Sequence, residues 1–449
     1  MEDHHEHTAG SVTLSAQRLI ELKRSIATRS DVQPTFDKLA AGDTSSLVEA
    51  VIAATLALRA SDIHIEPTAD GAAVRFRIDG MLSDVATVTP RLYSLLLSRI
   101  KLLSELKLNI HDEPQEGRFS ATMEEREIEI RASILPSQYG EDIALRVLDP
   151  RALLSFEDLG FRSDLQATIQ QLLAMPQGLI LVTGPTGSGK TTTLYAFVQA
   201  LADESIKIVT IEDPIEYHLP NISQTQVNEE RGYSFESGLE AVLRQDPDIV
   251  LLGELRNRDS AEAALQAALA GRKVLSTLHT TDAPGAVPRL AELGIDTSSI
   301  ASGLAASIAQ RLVRRLCAAC KTKRTITKEE YEALTDMLAT LPAGVERPAL
   351  SVATSLAAPG EGCEKCGGAK YIGRIGIFEV LVIDDEMEQR ILENVSEQFL
   401  RVEAIKLGMV TMQQDATLRI LEGITTYREV VRILGPFPSR PAENEKAPQ

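Results

Sequence analysis

The run Gly178–Thr183 is apolar through Leu179, Ile180, Leu181 and Val182, and it leads directly into Gly184, Pro185, Thr186, Gly187, Ser188, Gly189, Lys190 and Thr191. Residues 192–202 then follow a helical pattern of apolar positions. A buried strand, a turn rich in glycine and a helix must therefore follow one another without interruption. A glycine, four residues, then Gly-Lys-Thr in that setting is the signature of a phosphate-binding loop. Gly187 and Gly189 let the backbone curl until its N–H groups face inward, and the helix N-terminus adds partial positive charge. Lys190 is then placed for the β- and γ-phosphates of a nucleoside triphosphate, Thr191 for Mg²⁺, and residues 184–192, ending at Thr192, for the nucleotide as a whole. The alternative is a glycine-rich turn without a ligand, which requires every fixed position and both flanking elements to coincide by chance.

Further short apolar runs at 206–211, 248–252 and 273–278 alternate with helical patterns. That alternation indicates a parallel sheet covered on both faces, an α/β core over residues 165–315. Functional groups of such sheets gather at the carboxyl ends of strands. Glu254 follows one run, Glu212 opens an acidic cluster with Asp213 and Glu216 after another, and His279 follows a third. Glu254 is the first candidate to organise water and Mg²⁺, and Glu212 the second. An acid after a strand can equally be a solvated loop residue or a helix cap. His279 reads either as a structural histidine or as a sensor of the γ-phosphate or of a neighbouring subunit.

All four cysteines fall in two C-x-x-C pairs, Cys317 with Cys320 and Cys363 with Cys366, with 42 residues between the pairs. Two such pairs suit one tetrahedral Zn²⁺, a structural site with no open position. Buried free cysteines or a redox pair are the alternatives. The pairs delimit a tetracysteine zinc subdomain over 316–370. Upstream, a helical pattern over 46–60 and alternating runs such as 62–66 and 74–78 indicate an α+β domain over 46–150, with 151–164 as a linker. Residues 1–45 read as a flexible N-terminal arm whose tip carries His4, His5 and His7. Residues 371–435 read as a C-terminal helical subdomain, and 436–449 as a disordered tail.

Across 449 residues, 46 basic against 64 acidic side chains leave a net charge of −18, and aromatics are 4% with no Trp. Neither attraction to a phosphate backbone nor base stacking is favoured, so no nucleic-acid partner is expected. No apolar stretch approaches the roughly 20 residues of a membrane span, and the start lacks the basic and apolar regions of a secretory signal. The expected location is cytoplasmic, where thiols stay reduced and bind metal more readily than they form disulfides.

Residues 184–195, 211–217, 243–256 and 276–280 resemble the Walker A, Asp box, Walker B and His box of the ATPases that drive type II secretion and type IV pilus assembly. The resemblance reaches upstream to 59–67 and to Arg77, Ile78, Asp79 and Gly80, and downstream through the cysteines to 373–379. It covers about residues 45–435. It implies a RecA-like P-loop NTPase core, a PAS-like N-terminal domain and a homohexameric ring. The implied reaction is hydrolysis of ATP to ADP and phosphate with Mg²⁺, and Zn²⁺ occupies the cysteines. The implied partners are an inner-membrane platform protein and its associated assembly proteins, through which the ATPase sits peripherally at the inner membrane. Arg118 and Arg131, with Arg146 as a third candidate, match arginines that reach over the phosphates in trans, although each alone is equally readable as a surface ion pair. A pilus-retraction or conjugation-type ATPase is the alternative, and such relatives generally lack the tetracysteine insertion. A non-hydrolysing nucleotide-binding scaffold is another. Two departures stand out. Asn257 replaces the family's acidic residue, with Asp259 two positions on. Only about 45 residues precede the PAS-like region, where type II members carry a further docking domain.

Overall fold

The computed structural model describes residues 10–39, 44–123 and 126–438. The chain divides into two compact units. One holds Met1–Ala152, Cys317–Cys320 and Gly360–Gly373, and the other Leu153–Leu316, Lys321–Pro359 and Arg374–Gln449.

The first unit is built on a sheet of seven strands: β1 (Ser11–Leu14), β2 (Ala60–Thr68), β3 (Gly71–Ile78), β4 (Met81–Val88), β5 (Gln115–Met123), β6 (Arg126–Ser137) and β7 (Gly140–Leu148), in the order β1-β5-β6-β7-β2-β3-β4. Alternation along these strands sends Ile63, Ile65, Val74, Phe76, Phe119, Ile130 and Ile143 into one core with Val51 and Ile52 of helix Thr44–Leu58 and Leu96 and Ile100 of helix Pro90–Leu103. The second of these helices starts where Thr89 accepts the Leu92 N–H and Pro90 fills the first turn.

The arm expected over 1–45 does not describe residues 10–39. β1 pairs in parallel with β5, from Ser11 against Ser120 to Leu14 against Met123. Val12, Leu14, Leu22, Ile26, Val32 and Phe36 are buried in the core of the first unit. Four residues of strand acquire a meaning only beside β5, far along the chain, so local pattern could not report them. The histidine tip lies outside the described residues.

The second unit carries β8 (Gly178–Thr183), β9 (Ile208–Glu212), β10 (Ser223–Gln226), β11 (Ile249–Leu252), β12 (Lys273–Leu278), β13 (Leu304–Leu316), β14 (Thr322–Thr325), β15 (Ser355–Ala358) and, from Arg374 onward, β16 (Tyr371–Val382). Seven of them form the sheet β10-β9-β11-β12-β8-β13-β16. The pairings from β10 through β13 are parallel. The expected α/β core is therefore present, with the loop-bearing strand β8 held between β12 and β13.

Three further boundaries are corrected. The linker expected over 151–164 is packed: Phe156, Leu159 and Phe161 are buried, and Phe161 meets Phe378 with ring centroids 4.4 Å apart. The subdomain expected to be wholly helical over 371–435 opens with twelve residues of strand, β16, before helices Asp385–Glu393, Glu397–Lys406, Met412–Leu421 and Tyr427–Leu434. Its Ile375, Ile377, Phe378, Val380 and Leu381 are β-formers buried on both faces, which hides a period of two. The tetracysteine segment is split. Its middle, with the β14–β15 pair and helix Lys328–Ala339, packs Ile326, Leu334 and Leu356 into the core of the second unit. Its cysteine-bearing ends belong to the first, where the Gly373 N–H donates to Asp79 Oδ2 at 3.0 Å in the β3–β4 turn. Residues 439–449 of the expected tail lie outside the described residues.

Candidate functional site

The phosphate loop begins where β8 ends. Gly184, Gly187 and Gly189 take φ of 144°, 78° and 91°, and Gly189 is the N-cap of helix Lys190–Leu201. A side chain at Gly184 would place its Cβ 2.6 Å from both Gln310 O and Ser188 Oγ, so the first position must be glycine for space as well as for conformation. Lys190 Nζ donates to Gly184 O at 2.9 Å and Pro185 O at 3.3 Å, so the lysine is folded onto its own loop. Burial pulls the Lys190 ammonium below its ordinary pKa, opposed by Glu254 and reinforced by Arg311. Thr191 and Thr192 open the helix half-buried, and Thr193 behind them is buried, donating to Gln310 Oε1 at 2.7 Å.

The three candidates from neighbouring strands fall into different surroundings. Glu254 lies just beyond β11, with Oε2 3.1 Å from His279 Nε2 beyond β12. Arg256 Nε donates to the other Glu254 oxygen, and its Nη1 reaches Asp213 Oδ2 at 3.1 Å. The carboxylate is thus oriented from two sides while part of it stays accessible. Glu212 is buried, and Tyr195 OH, Thr210 Oγ1 and Gln224 Nε2 all donate to it. Burial and the adjoining Glu212 charge push the Tyr195 phenol well above its usual pKa. Glu212 therefore serves as the centre of a closed hydrogen-bond network.

Asn257 has an evident local use. Its side chain accepts the Ser260 N–H at 2.9 Å and caps helix Arg258–Leu269, while Nδ2 donates to Glu236 Oε1 at 2.9 Å.

Arg118, Arg131 and Arg146 lie in the first unit as direct cross-strand neighbours, Arg118 against Arg131 and Arg131 against Arg146. The row continues through Asp62 to Arg77. Arg77 is adjacent in sequence to Ile78, Asp79 and Gly80, with nothing local to link it to the other three arginines. Only pairing across five strands reveals that it shares the row. Glu129 takes Arg131 Nε at 2.9 Å, and Asp62 sits between Arg146 at 3.1 Å and Arg77 at 3.3 Å. Like charges directly opposite one another weaken a sheet, so the row is not explained by stability of the strands.

The four cysteine sulfurs lie within 4.8 Å of one another. Cys317 to Cys363 is 3.7 Å, Cys320 to Cys366 3.9 Å and Cys363 to Cys366 3.8 Å. A tetrahedron of thiolates about 2.3 Å from one Zn²⁺ has edges of about 3.8 Å, so the donor set fits that ion. The backbone N–H groups of Cys363 and Lys370 donate to Cys366 Sγ at 3.2 and 3.3 Å. Burial opposes ionisation of Cys366, but these amides outweigh it and bring the thiol down to about 7, whereas burial and the neighbouring thiols push Cys320 up to about 12. Among the described residues, no helix is long and apolar enough to cross a membrane.

A family described as "Type II/IV secretion system protein" matches residues 39–432. Type II secretion system protein E of Dickeya dadantii is 42% identical over 407 residues, covering 89% of this chain and 78% of the relative. The protein of the same description from Pseudomonas aeruginosa is 44% identical over 388 residues, covering 86% and 74%. Among solved structures, the pilus retraction motor PilT with bound ADP aligns with a TM-score of 0.56 at 26% identity, over 85% of this chain and 95% of PilT. Agreement over this much of the sequence, joined to the loop and strand ends described above, establishes that the chain belongs to the type II/IV secretion system protein family.

Proposed function

We propose that this chain is the ATP-hydrolysing subunit of a homohexameric motor that powers type II secretion or type IV pilus assembly through an inner-membrane platform protein. The observation that carries the reading is the contrast between the two acids. Glu254 is accessible, oriented by His279 and Arg256 and within electrostatic reach of Lys190, whereas Glu212 is consumed by its own network. Lys190 exchanges its loop carbonyls for the β- and γ-phosphate oxygens of ATP. Glu254 holds the attacking water in line with the γ-phosphorus and takes its proton as the bond to the β-phosphate oxygen breaks. Thr191 and Glu254 would hold Mg²⁺, which would supply neutralisation of the phosphate charge. His279 fixes Glu254 and responds to the γ-phosphate. The arginine row, Arg118, Arg131, Arg146 and Arg77, offsets negative charge on the transferring group from a neighbouring subunit, which ties hydrolysis to movement of the first unit. Zn²⁺ on Cys317, Cys320, Cys363 and Cys366 is structural and favours the secretion and assembly branch over retraction motors.

The test is ATP turnover by the purified chain, alone and with the platform protein of its own operon in phospholipid vesicles. Stimulation by that protein supports the motor reading. Mg·ATP bound but uncleaved under both conditions would leave only a scaffold.

A further inference from the structure

We propose that Arg311 reads occupancy of the phosphate loop from within the same chain and passes it to the loop bearing His279, an inference that rests on residues 184–191 binding nucleotide. β13 runs parallel to β8 with Ala309 opposite Thr183, which carries Arg311 alongside the start of the phosphate loop. A Cβ on Gly184 would lie 3.2 Å from Arg311 Nη1, so glycine at that position also makes room for the guanidinium.

Arg311 donates from Nη1 to Gln310 O at 3.2 Å and from Nη2 to Thr281 O at 3.1 Å. A guanidinium offers five N–H donors, and no carboxylate lies within ion-pair distance of this one among the described residues. Arg162, Arg256, Arg314 and Arg401 of the same unit are each paired with an acid. Burial lowers the Arg311 pKa, and Asp282 and Glu379 act against that without contact. Lys190 and Arg311 also repel each other. Two half-desolvated cations beside one loop favour an arriving anion.

The other end of the connection is Thr281, two residues after His279. Beyond it the chain is clamped by charged groups: Asp282 pairs with Arg401 and accepts the Gly285 N–H at 2.8 Å, and buried Glu379 accepts the Ala283 N–H at 3.0 Å. Before it, no buried charged group clamps the main chain: the Thr281 carbonyl accepts from Arg311, Thr280 Oγ1 donates to Asp282 O at 3.0 Å, Thr281 Oγ1 donates to Asp282 Oδ2 at 3.4 Å, and His279 meets Glu254 through its side chain. A phosphate oxygen is the stronger acceptor for a guanidinium. Nucleotide binding therefore draws Arg311 from Thr281 and loosens residues 279–281, which keep their side-chain bonds to Glu254 and Asp282, while 282–285 stay fixed.

Hydrogen exchange on the full chain, with and without Mg²⁺ and adenosine 5′-(β,γ-imido)triphosphate, tests this. In the wild type, saturating analogue is expected to change exchange across 279–281. Arg311→Gln should bind the analogue about tenfold more weakly, as for loss of one charged contact, and should show no such change at saturation. Arg311→Lys, which keeps the cation, should retain part of both effects and serves as the check that folding is intact. A wild-type exchange response in Arg311→Gln at saturation would overturn the inference, as would a wild type that binds the analogue with 279–281 unchanged. Absence of any wild-type binding would instead overturn the nucleotide reading, and the inference with it.

Discussion

Glu254 Oε2 and His279 Nε2 stand 3.1 Å apart at the ends of two adjacent parallel strands, β11 and β12, whose last paired positions are Leu252 and Ser276. Main-chain bonds hold both residues there: the Gly253 N–H donates to Ile211 O at 2.9 Å and the Leu255 N–H to Thr277 O at 3.0 Å. Glu254→Gln keeps the shape and removes the proposed base. Its turnover is expected to fall by about 10²–10³-fold while calorimetric affinity for Mg·ATP stays within a few-fold. His279→Ala, which loosens Glu254 without replacing it, is expected to cost roughly tenfold in kcat. Near-normal turnover in Glu254→Gln would remove this residue from the chemistry.

Lys190 ties two carbonyls of its own loop, so Lys190→Ala loses an internal brace and, with it, the proposed phosphate contact. Nucleotide binding by titration calorimetry should weaken by about 100-fold, with the unliganded melting temperature little changed because the lysine pays a desolvation cost at rest.

Glu212 sits among three donors in the interior, and Tyr195→Phe removes one of them without changing volume much. Denaturant unfolding of this variant should show a loss of about 1–3 kcal/mol. Turnover per folded molecule should drop far less than in Glu254→Gln. A rate loss equal to that of Glu254→Gln, with stability unaltered, would exchange the roles assigned to the two acids.

Metal analysis of protein purified without chelator should return about one zinc per chain. Cys366→Ser, which takes the thiolate supported by two backbone amides, should reduce this sharply and raise proteolytic sensitivity around 360–373. Zinc well below stoichiometry in the wild type would count against the tetrathiolate site.

Glu429 is buried beneath Arg314 and Arg432, and these arginines overcome the effect of burial to hold its carboxyl down to about 2. A depressed folded pKa stabilises above the ordinary carboxylate value and is lost as pH falls toward the folded one. The contribution of this ion cluster should thus be complete above about pH 4.5 and fade between there and about 2. Its upper limit is about 3 kcal/mol. Glu429→Gln should be destabilised at neutral pH and show a shallower loss of stability on acidification. An identical acid profile would show that the arginines find other partners.

The sequence made the nucleotide loop legible because glycine spacing, a buried strand and a helix start are all local. The strand-end acids were visible for the same reason. What separates Glu254 from Glu212 was not, since it depends on Tyr195, Thr210 and Gln224 converging from different elements. Arg311 escaped notice because its neighbours Gly184 and Thr281 are distant in sequence. Asn257 looked like a defect in a motif, yet an asparagine three residues before Ser260 is a capping signal that local reading could have used. β1 and β16 were missed for opposite reasons, the one too short to show a period and the other too uniformly buried.

The chain leaves the first unit after Ala152 and returns to it twice, for Cys317–Cys320 and again for Gly360–Gly373. This threading means the protein has no clean cutting point. A fragment stopping at residue 152 would be deprived of the segment that meets Asp79, and one starting at 153 would carry the four-cysteine cluster without the rest of its unit. Dissection into halves is therefore expected to yield sticky, incomplete pieces, and swapping the front part between relatives should succeed only when both cysteine loops travel with it.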